Sequence, residues 1–247
     1  MKKPIVHVKD FSLVLGGKTI VSQLDFDVFP GEVFAFLGAN GSGKTSTIRA
    51  LLGIFQPTSG TLHINGQKLT PETASIVGYL PEERGLYTRS KVLDTMIYFG
   101  ELKGMTRQAA RDFSVSFLER VELSDKANVK LKKLSGGQQQ KIQLGVAIMG
   151  NPKLLILDEP TKGLDPVNRK LLLDIVEELK KKGTAIIYIT HLMEEVERLA
   201  DRLLILKDGK ARAYGSVKAV KNEFKSQSIE EIFVRIYKEK SSEVARG

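Results

Sequence analysis

The apolar run Val33-Phe34-Ala35-Phe36-Leu37 leads straight into Gly38-Ala39-Asn40-Gly41-Ser42-Gly43-Lys44-Thr45-Ser46, and no other feature constrains the fold as strongly. An unbroken apolar stretch of this length reads as a buried strand, and Thr47 to Leu52 reads as the opening of a helix. The spacing fits G-x-x-x-x-G-K-[ST] through Gly38, Gly43, Lys44 and Thr45. The order strand, glycine loop, helix has a physical purpose. Glycines let backbone N–H groups wrap a phosphate, and the helix N-terminus adds partial positive charge. Lys44 is expected to contact the β- and γ-phosphates of a nucleotide, and the Thr45 hydroxyl to ligate Mg²⁺.

A second apolar run, Leu154-Leu155-Ile156-Leu157, ends in two carboxylates, Asp158 and Glu159. An acidic pair after a strand is common by itself, and it gains meaning from the phosphate loop upstream. Asp158 is expected to hold Mg²⁺ through water, and Glu159 to polarise the water that attacks the γ-phosphate. A third run, Ile186-Ile187-Tyr188-Ile189-Thr190, ends at His191. A histidine at a strand end is by itself more often structural than catalytic.

Leu134-Ser135-Gly136-Gly137-Gln138 matches the signature of ATP-binding-cassette (ABC) ATPases, and with it the resemblance covers nearly the whole chain. The resemblance implies that Ser135 and the neighbouring glycine amides, at a helix start, meet the γ-phosphate of ATP held by another subunit's phosphate loop. Two cassettes would then stack head to tail, the second being an identical or a related chain. Pro160 and Gly163-Leu164-Asp165 resemble the loop through which each subunit senses the opposite site, and His191 matches the switch histidine that steadies the attacking water. The resemblance also implies ATP and Mg²⁺ as ligands and a separately encoded transmembrane permease as partner. Gly78-Tyr79-Leu80-Pro81-Glu82-Glu83-Arg84-Gly85-Leu86-Tyr87 looks like one branch of exporter-type cassettes, with Arg84 and Tyr87 as contacts for the permease.

Two positions depart from the commonest family pattern. Glu82 stands where most cassettes carry glutamine; a carboxylate still ligates Mg²⁺ but adds negative charge beside a triphosphate. Leu15, in Leu15-Gly16-Gly17-Lys18-Thr19, stands where an aromatic residue normally stacks on adenine. An aliphatic side chain packs but offers no π face, so discrimination between ATP and GTP should be weak, with Phe11 as the residue able to compensate.

The 247 residues are 42% hydrophobic, enough for a full core. No apolar run approaches the roughly 20 residues that span a bilayer, and Lys9 and Asp10 interrupt any signal-peptide core after Ile5 to Val8. A cytoplasmic location, peripheral on the membrane's inner face, is the expectation. The net charge of +9 invites a nucleic-acid reading. However, the lysines are scattered among glutamate-bearing helices with no interleaved aromatics, so solvated helix faces and attraction to an anionic membrane are favoured and no nucleic-acid partner is expected.

The pattern predicts an α/β cassette: a mostly parallel core sheet, an antiparallel β subdomain and a helical subdomain. Residues 1–215 would form the ATPase domain, with the helical subdomain at about 88–150, and 216–247 a C-terminal helical appendage. In that appendage Ile229, Ile232, Phe233, Ile236 and Tyr237 share one helical face, which favours docking onto the chain's own core over a dimer or regulatory contact. A membrane-transport subunit is the leading function. A soluble ABC ATPase acting on nucleic acid or ribosomes fits less well, because only roughly ninety residues separate phosphate loop and signature, too few for the long coiled coil of repair members. A non-hydrolysing regulatory cassette is disfavoured by the presence of Lys44, Asp158, Glu159 and His191 together.

Overall fold

The structure, a computed structural model, describes residues 3–83 and 89–238. In chain order these form β1 (Val6–Leu15), β2 (Lys18–Val28), β3 (Val33–Leu37), α1 (Lys44–Leu51), β4 (Ser59–Ile64), β5 (Val77–Leu80), α2 (Val92–Leu102), α3 (Arg107–Arg120), α4 (Gly136–Ile148), β6 (Leu154–Asp158), α5 (Pro166–Lys181), β7 (Ala185–Ile189), α6 (Met193–Leu199), β8 (Arg202–Lys207), β9 (Lys210–Ser216), α7 (Val217–Glu223) and α8 (Ile229–Lys238). The chain divides into two compact units: Thr70–Tyr188, and the sequence before it joined by Ile189 onward. Among the described residues, no helix is long and apolar enough to cross a membrane.

In the first unit β1 pairs antiparallel with β2 and with β4. Alternation buries Val6, Val8, Phe11 and Leu13 on one face, and irregularities between Val8 and Phe11 re-phase the strand so that all four point inward. Beside this, β3 runs parallel to β8, which pairs antiparallel with β9. All of β3 is buried, as a central parallel strand requires. Its start is pinned by Asp201, whose carboxylate accepts from the Val33 N–H at 2.8 Å while its own N–H donates to the Val33 carbonyl at 2.9 Å. The described part of the 216–247 segment, residues 216–238, packs here. Ile229, Ile232 and Ile236 of α8 join Ala35 and Leu37 of β3 and Leu203 and Ile205 of β8 in one cluster, so the amphipathic face docks on its own core.

In the second unit β5 runs parallel to β6, with β7 on β6's other side. Helix α4 is buried over most of its circumference and lies close against α3: a Cβ at Gly145 would stand 2.5 Å from the Phe117 ring. Its C-terminal carbonyls are collected by one side chain. Lys103 Nζ donates to the oxygens of Val146, Ala147 and Met149 at 2.8, 2.7 and 3.3 Å, satisfying groups that a helix end leaves without partners. Burial lowers the Lys103 pKa to about 8.

Candidate nucleotide site

The residues singled out by sequence fall into two sets, one on each unit. On the first unit, β3 ends at Leu37 and α1 begins at Lys44, three residues earlier than the pattern predicts. The helix gains this turn because Gly43 caps it at φ +109°, a conformation only glycine adopts cheaply. Gly41 also has positive φ, and the Thr47 hydroxyl donates to the Gly43 carbonyl at 2.9 Å. Gly38 is glycine for lack of room: a Cβ there would lie 2.7 Å from the Leu206 carbonyl and 2.4 Å from the Ser42 hydroxyl. The first turn of α1 carries no acidic residue, so its field is uncompensated and favours an anion. Lys44 Nζ donates to the carbonyls of Gly38 at 2.7 Å and Ala39 at 3.2 Å, which folds the ammonium back over the loop.

Tyr237, on α8, completes the loop's surroundings. Its hydroxyl accepts from the Ala39 N–H at 2.7 Å and donates to the Leu206 carbonyl at 2.6 Å. Burial raises its pKa, keeping the phenol a donor across the physiological range. The buried Ser42 hydroxyl makes no hydrogen bond of good geometry among the described residues, although it lies near enough to Tyr237 to oppose part of that upward shift. The helical periodicity puts Tyr237 on the apolar face of α8, but nothing in the sequence shows that it reaches the loop, because the contact spans 198 residues.

Leu15 ends β1 and is 37% exposed, whereas Phe11 is fully buried. Phe11 therefore offers no exposed ring, and the expected compensation for the missing aromatic is not met. The hairpin lies beside the phosphate loop: the Ile20 carbonyl and the Val21 side chain stand 3.0 Å from where a Gly43 Cβ would be. His191 is exposed in the turn between β7 and α6. That turn is fixed by Thr190, whose hydroxyl accepts from the Leu192 N–H at 3.0 Å and donates to the buried Glu195 carboxylate at 3.2 Å.

On the second unit, Asp158 closes β6 and is 3% exposed. Glu159 follows at φ +49°, a left-handed conformation that costs a non-glycine residue of order 1 kcal/mol or more and gathers at functional positions. Ser135 caps α4, and a reciprocal capping box forms: the Gln138 N–H donates to the Ser135 hydroxyl at 3.3 Å, and the Ser135 N–H to Gln138 Oε1 at 2.9 Å. Ser135 is exposed, Gly136 and Gly137 partly so, and no acidic residue occupies the first turn. This is a second electropositive helix end.

The fold ties that end to the acidic strand. Gln140 donates to the Pro160 carbonyl at 3.1 Å, and Lys141 Nζ reaches Asn168 Oδ1 at 2.9 Å. Asn168 in turn donates to the Asp165 carboxylate. Asp165 caps α5 by accepting the N–H groups of Val167 and Asn168 at 3.0 Å. The bonds from Asn168 chiefly, and then from Val167, lower its pKa. The family resemblance marks Asp165 as a sensor, but no motif marks Lys141 and Asn168, which connect it to the signature helix.

Glu82 pairs with Lys162 at 2.6 Å. The hydrogen bond to Glu82 is the main cause that raises the Lys162 pKa, with Glu159 and Asp158 adding smaller electrostatic contributions. The charge expected of a carboxylate at the glutamine position is therefore met by a cation from the loop after β6. Arg84 and Tyr87, expected to meet a partner, lie outside the described residues.

A family model described as ABC transporter matches residues 21–162. An ABC transporter ATP-binding protein of Methanocaldococcus jannaschii is 44% identical over 218 residues, covering 88% of this chain and 80% of the relative. The linearmycin resistance ATP-binding protein LnrL of Bacillus subtilis is 36% identical, covering 86% and 69%. The Nod factor export ATP-binding protein I of Paraburkholderia xenovorans is 39% identical, covering 83% and 68%. A solved structure of the ATP-binding subunit of an ABC transporter superposes with a TM-score of 0.90 at 28% identity, over 95% of this chain and all of that one. By its phosphate loop, signature and acidic strand, and by these matches, the chain belongs to the ATP-binding proteins of ABC transporters, the family whose cassette binds and hydrolyses ATP to power transport.

Proposed function

We propose that this chain works as one half of a head-to-tail pair of cassettes, on the cytoplasmic face of the membrane, that drives an exporting transmembrane permease. The observation that carries the reading is the pair of uncompensated helix ends: α1 behind the Gly38–Ser46 loop, and α4 behind the exposed Ser135-Gly136-Gly137. Each suits an anion. With one of each per chain, two chains placed head to tail offer two sites, each lined by a phosphate loop and the partner's signature.

In such a site the amides of residues 39–46 hold the β-phosphate. Lys44 exchanges the carbonyls of Gly38 and Ala39 for β- and γ-phosphate oxygens. Glu159, preset by its backbone, orients water and takes its proton, and His191 holds the γ-phosphate end of that alignment. Asp165, fixed by Asn168 and Lys141, sits on the path by which signature contact in one subunit is felt at its acidic strand. Among the described residues, no three His, Asp or Glu side chains stand together as a metal cage. The Thr45 hydroxyl and the buried Asp158 carboxylate, with Glu82 nearby in the second unit's set, are the donors expected for Mg²⁺, which takes few protein ligands and completes its shell with phosphate and water. When bound, that ion neutralises triphosphate charge.

Export direction rests on the names of the linearmycin resistance and Nod factor export relatives and on the Leu80–Tyr87 sequence. An open cavity of about 300 Å³ lined by Ser90, Asp94, Thr95 and Tyr98 follows that sequence and has room for a side chain or two of the permease, not for a helix. The site assignment is tested by nucleotide titration and steady-state hydrolysis. Lys44→Ala should abolish nucleotide binding, while Glu159→Gln should keep binding and lose turnover. Binding retained by Lys44→Ala would remove the phosphate loop from the account.

A further inference from the structure

We infer that Tyr237 of α8 is a positioning residue for the phosphate loop, and that the C-terminal helix thereby sets the chain's affinity for nucleotide. The inference rests on the reading above that the loop binds ATP. The central observation is a single peptide group. The Gly38–Ala39 peptide gives its N–H to the Tyr237 hydroxyl at 2.7 Å, and its carbonyl accepts from Lys44 Nζ at 2.7 Å. One end of the peptide is fixed by α8, and the opposite end holds the lysine that must reach the phosphates. A planar peptide cannot turn one end without turning the other, so the Tyr237 bond sets where the carbonyl points and hence where the ammonium waits.

Tyr237 is itself tightly placed. Its hydroxyl donates to the Leu206 carbonyl at 2.6 Å, so it has one orientation in which both bonds form. Its ring stacks on Phe233 with centroids 4.5 Å apart, and Lys207 Nζ lies 5.8 Å from the ring centroid while donating to the Ile236 carbonyl at 2.8 Å. Ile229, Ile232 and Ile236 bury the helix beneath. The loop is braced on the same side at Ser42, whose carbonyl accepts from the Gly209 N–H at 3.1 Å. Without the phenol hydroxyl, the Ala39 N–H loses its partner. The peptide is then free to rotate toward another acceptor, and the ordering of Lys44 must be supplied when nucleotide binds. The consequence is weaker binding with little change in the chemical step, because Glu159 and His191 are untouched.

The test is equilibrium titration of the full chain with Mg-ADP, together with steady-state ATP hydrolysis, for Tyr237→Phe and for Phe233→Leu. The first removes only the hydroxyl. The second loosens the packing of α8 but leaves both hydroxyl bonds able to form. Tyr237→Phe is expected to raise the Kd about tenfold and the KM for ATP in parallel, with kcat within about twofold of wild type, while Phe233→Leu shifts the Kd less than about threefold. Amide hydrogen exchange of the nucleotide-free protein reads the clamp without the ligand: Tyr237→Phe should speed exchange at Ala39, and Phe233→Leu should not. A Kd within about threefold of wild type for Tyr237→Phe, or equal losses in both variants, would overturn the inference. Loss of binding in Lys44→Ala checks the location of the nucleotide separately.

Discussion

Lys103 gives the sharpest physical prediction. Its half-buried ammonium lies at the end of α4 against three carbonyls, and loss of solvent there lowers its pKa from 10.5 to about 8. Below about pH 8 both folded and unfolded chains carry the proton, and the fold bears the full cost of the buried charge. Between pH 8 and 10.5 the folded chain releases the proton while the unfolded chain keeps it, so stability rises with pH across this window. At about 1.4 kcal/mol per pH unit the gain has a ceiling of about 3 kcal/mol. The three carbonyl acceptors favour the ammonium and pull the gain toward about 1 kcal/mol. Urea unfolding of wild type and Lys103→Met, measured side by side from pH 7 to 10.5, removes the contribution of every other group. Wild type should gain about 1 to 3 kcal/mol on the variant, all of it above about pH 8. A difference constant to within about 0.5 kcal/mol would mean that Lys103 titrates as a solvated lysine and that the helix end is open to water.

The Glu82–Lys162 pair should act as a charge match. Lys162→Met leaves the carboxylate uncompensated and should raise the KM for Mg-ATP and the Mg²⁺ requirement, most strongly at low salt, and Glu82→Gln in the same chain should restore both; additive losses in steady-state hydrolysis would deny the coupling. Ser135→Ala breaks the capping box, at a cost of about 1 kcal/mol in urea unfolding. It should depress hydrolysis while leaving the Kd of the single chain for Mg-ADP unchanged, since the side chain serves the partner's nucleotide. Leu15 supplies no ring, so kcat/KM for GTP should fall within about threefold of that for ATP; a preference of tenfold or more would show that another group reads the base.

Much of this was legible in the sequence because it is local. A fully apolar run before a glycine loop can only be a buried strand, and β3, β6 and β7 are buried throughout as their composition predicts. The helix starts were less legible. α1 begins at Lys44 because Gly43 takes a left-handed cap, a choice that spacing alone does not reveal. In β1, period-two alternation places Phe11, Leu13 and Leu15 on one face, yet register shifts near the hairpin leave Leu15 exposed and Phe11 buried. What sequence could not supply was long-range pairing. Tyr237 on Ala39, Lys103 on the end of α4, and Lys162 on Glu82 join residues 198, 43 to 46, and 80 positions apart. Each depends on the folded sheet to bring its partners within reach, and none leaves a periodic or compositional trace.

The central claim is that two chains complete each other's nucleotide sites, and ATP-dependent association of the purified protein tests it most directly. Light scattering of wild type and Glu159→Gln with Mg-ATP should show a stable dimer in the variant, where closure is not undone by hydrolysis, and monomer or transient dimer in wild type. A variant that binds Mg-ATP yet stays monomeric would contradict the pairing of identical chains, because its Ser135-Gly136-Gly137 end would then have only a related cassette's phosphate to meet.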